Sequence, residues 1–173
     1  MATTSGDKSW PEVYSHLRQN ALSVDRKEVG ISQSLPDAPV WGVLMEIGYP
    51  LVTASLFALS DGTTSIYFST GGGIIGGHTH EKVKEANSAF IRAANQFHQQ
   101  MTPCQSFPLP ETGRTVFYAR TDAGVLTANG PEDDLGSSRH PLSALYFAGH
   151  AVITELRLID ESRDRKDRVN QAS

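Results

Sequence analysis

Two consecutive segments, Trp41 to Gly48 and Val52 to Ser60, are apolar on both of their alternating faces. In the first, Trp41, Val43, Met45 and Ile47 share one side and Leu44 lies on the other. In the second, Leu56 opposes Phe57 and Leu59. Successive side chains of a strand point to opposite faces. A strand that is apolar on both faces belongs where both are covered. The pattern therefore predicts a sheet whose central strands are sandwiched between helices.

The flanking segments supply those helices. Ser9-Trp10-Pro11-Glu12 reads as a capped helix start, and Trp10, Val13, Tyr14, Leu17 and Ala21 follow on one helical face. Residues 23–39 form a long connection. Asp61-Gly62 predicts a hairpin into a third strand, Thr63 to Ser69, whose alternation places it half-exposed at a sheet edge. A helix is expected from His80 to Met101, with Val83, Ala86, Phe90, Ala94, Phe97 and Met101 as its stripe. Residues 102–114 carry three prolines and read as loop. Thr115 to Arg120 and Gly124 to Asn129 form a second hairpin, and residues 130–139 a polar loop. Pro141 opens a last helix with Leu142, Leu145, Val152, Ile153, Leu156 and Ile159 inward, Gly149 and Ala151 allowing close approach. The expectation is an α+β fold: a five-stranded, mainly antiparallel sheet with helices on both faces. Residues 1–8 are expected to be disordered, 9–159 to form one α+β domain, and 160–173 to be a polar tail, either an exposed helical extension or disordered.

Composition narrows the function classes. The 173 residues carry a net charge of −4, which argues against a nucleic-acid binder. No apolar run approaches the roughly 20 residues that span a bilayer. The N-terminus lacks a basic and an apolar signal region. Cys104 is the single cysteine, so no intrachain disulfide can form. These features predict a cytoplasmic protein.

Five of the 15 glycines lie in residues 69–77, Ser-Thr-Gly-Gly-Gly-Ile-Ile-Gly-Gly, followed by His78-Thr79-His80-Glu81. Gly71-x-Gly73-x-x-Gly76 matches the dinucleotide fingerprint as a string. That motif needs a parallel βαβ unit and an acidic residue about 20 positions on. The preceding strand is a hairpin partner, and Gln96 occupies that position. Gly72-x-x-x-x-Gly77-His78-Thr79 resembles a P-loop with histidine in place of the lysine that fixes the terminal phosphates. What survives is an anion site on the backbone N–H groups of Gly76, Gly77 and His78 at a helix start. Gly72, Gly73, Gly76, Gly77, His78 and Thr79 are the candidate ligand-binding residues. The structural alternative is a tight crossover in which Thr79 caps the helix and Glu81 sits in its first turn.

Other candidates are weaker. His78 and His80 have a spacing found in metal sites, yet three or four ligands are needed and no second pair is near in sequence. Cys104 has no nucleophile signature around it. Glu132-Asp133-Asp134 reads as a solvated acidic loop. No catalytic residue, metal or cofactor is expected.

The element order over residues 9–159 resembles the profilin-like and roadblock/longin group of small antiparallel domains. Roadblock-type domains carry two strands before the central helix, where three are read here. Ser69 to Glu81 also resembles a stretch of a conserved bacterial protein, with no activity implied. The resemblance implies a dimeric scaffold or sensory module. The sequence is thus read as a non-catalytic cytoplasmic binding or interaction domain, homodimeric, without nucleic-acid or membrane partners. The alternative is a small-ligand or nucleotide-binding protein, with catalysis left open, using the loop 71–79 and an anionic ligand.

Overall fold

The two doubly apolar segments are the centre of one antiparallel sheet. The computed structural model describes residues 9–32 and 35–171, so the expectation for residues 1–8 lies outside the described residues. The strands are β1 (Val40–Tyr49), β2 (Val52–Leu59), β3 (Thr64–Phe68), β4 (Gly73–Ile75), β5 (Thr102–Cys104), β6 (Arg114–Thr121) and β7 (Gly124–Pro131). Their order is β4-β3-β2-β1-β6-β7-β5, with every neighbouring pair antiparallel. The helices are α1 (Trp10–Ser23), α2 (Glu81–Phe97), α3 (Glu132–Gly136) and α4 (Ser143–Gln171).

The expected five strands are seven among the described residues. The two additional ones are three-residue edge strands hidden in turn-rich sequence. β4 lies inside the glycine run, and β5 contains Pro103. An edge strand tolerates proline because its N–H side can face away from the ladder. β3 is consequently not an edge: β4 covers it, and Thr64 to Tyr67 are buried. The polar loop 130–139 contains α3, whose Leu135 is fully buried. α2 ends at Phe97 and is followed by a 3₁₀ turn, His98–Gln100, short of the expected Met101.

One parity expectation also fails. Trp41 packs on the face opposite Val43, Met45 and Ile47. The register of β1 against β6 shifts between Val40 and Gly42, and such a bulge reverses the alternation beyond it.

The core has two layers. On one face, α2 and α4 cover Val43, Met45, Ile47, Leu56, Ile66 and Phe117 with Val83, Phe90, Leu145, Val152 and Leu156. Gly149 permits the close approach there: an added Cβ would stand 2.4 Å from Met45 Sδ. Ala151, expected to share that role, is exposed. On the other face, α1 lays Tyr14, Ala21 and Leu22 over Trp41, Leu44, Phe57, Leu59, Tyr67 and Tyr118. Beyond Ile159, α4 continues to Gln171, with Asp160 to Arg168 in solvent. The polar tail thus takes its helical form in the described residues.

Candidate functional site

Glu46 sits mid-way along β1, the central strand, and is fully buried. Its side chain shares the α1 face with Leu44, because alternation places residues 44 and 46 together. Ser55 of β2 stands directly opposite it in register. From above, α1 presents Tyr14, Arg18 and Leu22, four residues apart and so on one helical stripe.

Arg18 grips the carboxylate side-on. Its Nε donates to Glu46 Oε1 at 2.8 Å and its Nη2 to Oε2 at 2.8 Å. Ser55 Oγ donates its single hydrogen to Oε1 at 2.8 Å. The 2.8 Å contact between Tyr14 Oη and Ser55 Oγ therefore carries the tyrosine proton, and Tyr14 is the donor. A two-pronged arginine and a hydroxyl satisfy the buried charge, as a buried carboxylate requires.

These contacts shift the neighbouring groups. Burial by itself would pull Arg18 down, but the hydrogen bonds and charge of Glu46 hold it above its ordinary value. Burial, then the Glu46 charge, pushes Tyr118 up to about 12. Tyr14 is raised chiefly by burial.

Arg18 also reaches beyond the pair. Its Nη2 donates to the Phe107 carbonyl at 2.7 Å, tying α1 to the segment 105–109. Tyr118 Oη donates to the Pro108 carbonyl at 2.7 Å, and its ring meets Phe107 edge-on at 5.5 Å. Between α1 and this segment lies a cleft of about 540 Å³, bordered by Tyr14, Arg18, Gln19, Leu22, Gln105, Ser106, Phe107 and Leu109. That volume falls in the range of small-ligand sites.

The opposite flank of α1 has a second, mainly apolar cleft of about 310 Å³. Leu17, Ala21, Val24, Phe57, Leu59, Tyr67 and Ile75 line it, and Gly76 and His78 close one end. Arg120 fixes the C-terminal end of α1. It donates to the carbonyls of Ala21, at 3.3 Å, and Val24, and stacks over Trp41 at 5.0 Å. Burial lowers its pKa.

The glycine-run candidates do not form one cradle. Gly72 is an exposed turn residue with φ +83°, and Gly73 begins β4 against β3. Gly76 adopts φ +84°, a left-handed conformation that favours glycine. Gly77 is buried in the 3₁₀ turn Gly77–Thr79, where an added Cβ would lie 2.7 Å from Leu156 and 2.8 Å from Val83. His78 and Thr79 are exposed. His80, not Thr79, occupies the N-cap of α2. The 3₁₀ turn moves the helix start one residue on. The run is a hairpin turn, an edge strand and a close-packed corner in succession.

The remaining candidates separate in space. His78 borders the apolar cleft, whereas His80 borders a different groove, between α2 and the end of α4. No group of three potential metal ligands occurs among the described residues. Cys104 is partly buried on β5, and burial raises its thiol pKa. The acidic run divides: Glu132 accepts the Tyr146 hydroxyl at 3.2 Å, and Asp134 pairs with Arg139 at 2.9 Å. No helix among the described residues is long and apolar enough to cross a membrane.

Arg18, Glu46 and Ser55 were not singled out by the sequence reading. The available signal was a lone carboxylate between Met45 and Ile47 in a strand otherwise apolar on both faces. Such a residue must bring a partner with it. No family model matches the chain, and no curated protein and no solved structure matches it.

Proposed function

We propose that this chain is a non-catalytic, cytoplasmic binding domain that uses its α1 face as the binding surface and self-associates as a homodimer. The observation that carries the reading is a buried charge pair placed beside an open cleft, on the face that α1 covers. A buried ion pair adds little net stability over apolar residues of similar volume. Its position beneath a cleft therefore supports a role in recognition. Arg18 and Glu46 are engaged with each other, which favours binding over proton transfer. The element order also supports a place near the profilin-like and roadblock/longin domains.

A ligand screen by thermal shift tests the reading. A compound at 100 times its Kd stabilises by about 2.7 kcal/mol. Stabilisation by any compound that is lost in an α1-face variant is the expected result. Stabilisers that act equally on α1-face variants would refute the assignment of the face. Light scattering tests self-association; a monomer across micromolar concentrations removes the dimer. A nucleotide site at residues 71–79 is the second reading. Gly76 and His78 do border a cleft, but its lining is mainly apolar, which favours an apolar ligand over a phosphate. Nucleotides in the same screen decide it.

A further inference from the structure

The cleft between α1 and the segment 105–109 has a lining that selects among ligand chemistries. Its single charged lining residue is Arg18, and Glu46 stands behind that guanidinium and offsets its charge. The other polar lining residues, Tyr14, Ser15, Gln19, Ser23, Gln105 and Ser106, are uncharged. An anion drawn to Arg18 also meets the Glu46 carboxylate behind it. A cation meets the guanidinium first. Neither sign of charge is favoured.

Hydrogen-bonding capacity remains. Arg18 Nε and both hydrogens of Nη2 are engaged by Glu46 and the Phe107 carbonyl. The two hydrogens of Nη1 are left, and the Tyr118 hydroxyl, which also lies near the guanidinium, can accept one at most. At least one charge-assisted donor therefore has no partner among the described residues, in a side chain 16% exposed, while Glu46 beneath it is fully enclosed. An acceptor placed there completes the arginine's set. Leu22, Phe107 and Leu109 add apolar surface, and Leu109 is half exposed at 50%, a large apolar side chain left in water beside the cleft.

We propose that this cleft takes a small uncharged ligand with a carbonyl acceptor on an apolar body, the carbonyl at Arg18 Nη1 and the apolar part against Phe107 and Leu109. The inference rests on the α1 face being the binding surface and names what that surface accepts.

The test is an NMR titration of the full chain with three probes of one shape: N-acetyl-leucinamide, which is neutral, N-acetyl-leucine, an anion, and leucinamide, a cation. The neutral probe is expected to shift the amide signals of Ser15, Gln19, Gln105 and Ser106. The charged probes are expected to bind about tenfold more weakly or worse, a difference of about 1.4 kcal/mol. Arg18→Met with Glu46→Leu should abolish the preference for the acetylated amide. Because that pair also pins α1, Leu109→Asp, at an exposed position, serves as a second variant and should weaken the neutral probe without changing the rest of the spectrum. Equal binding of the three probes overturns the proposal. So does a preference for either charged one. Shifts confined to Leu17, Asn20, Ile75 and His78 also overturn it, while leaving the α1 face as the binding surface. No shift anywhere on α1 removes both.

Discussion

The two faces of the sheet are covered by different means. α2 and α4 close one face with side chains that interdigitate, and Gly149 lets α4 settle onto Met45. Apolar packing dominates there. The other face is covered by α1 together with Val29, Ile31 and Phe107 from loops, and α1 is pinned by polar contacts as well: Tyr14 to Ser55, Arg18 to Glu46, Arg120 to the end of the helix, and Trp10 Nε1 to the Phe68 carbonyl at 2.9 Å. One helix cannot span a seven-stranded sheet, so clefts remain on both of its sides. Packing without direction stabilises one face, whereas directional bonds hold the other in one position.

The largest test of this contrast is Arg18→Ala. It leaves Glu46 charged and buried without its partner, and should reduce unfolding free energy by about 3–5 kcal/mol. Arg18→Met with Glu46→Leu should recover most of that loss in urea unfolding. A small effect of the single change would show that α1 is held by its apolar stripe instead. On the opposite face, Leu145→Ala should cost about 2–5 kcal/mol through the cavity it leaves, and no second-site charge change should restore it.

Gly77→Ala probes the seam between the helices and β3. Its Cβ would meet Leu156 and Val83, and overpacking of this kind costs about 1–3 kcal/mol. A neutral result would mean those side-chain ends can yield.

A smaller effect separates the faces by pH. Tyr118, under α1, is raised from 10.0 to about 12, so its contribution is complete below pH 10 and is lost as pH rises toward 12. His150, on α4, is lowered from 6.5 by burial, so its contribution is complete above that value and is lost as pH falls through its folded value. Melting temperature should therefore decline at both extremes. Tyr118→Phe should lessen the alkaline decline, leaving the part carried by Tyr146 on α4, and should not change the acid one; His150→Gln should remove the acid decline and leave the alkaline one. Identical profiles for wild type and variants would dissolve the distinction.

The central strands, the helices and their antiparallel hairpins were legible because burial writes a period into the sequence. Runs apolar on both faces located β1 and β2, alternation located β3, a hairpin reading located β6 and β7, and the 3.6-residue stripe located α1, α2 and α4. β4, β5 and α3 carried too few residues for a period, and glycine, proline and acidic residues dominate them. The bulge near Gly42 changed the face of Trp41 because alternation has no memory across an inserted residue. The glycine run attracted attention as a string, yet its residues answer to a turn, a strand and a packed corner. The cleft beside Arg18 stayed hidden for the opposite reason. Arg18, Glu46 and Phe107 are far apart in the chain, and only the fold makes them neighbours.

The sheet ends on both sides in strands of three residues, β4 and β5, the latter holding Pro103. A free edge is a template, and a long one invites another strand to add to it and a further strand to that. Here the template is a stub at one margin and lacks a donor at the other. Growth of the sheet into a fibre has little to start from, so crowding or partial unfolding should yield amorphous rather than ordered aggregates. Any second copy must then approach through side chains on a face, where a contact closes on itself, and not through backbone at an edge, where it could repeat without limit.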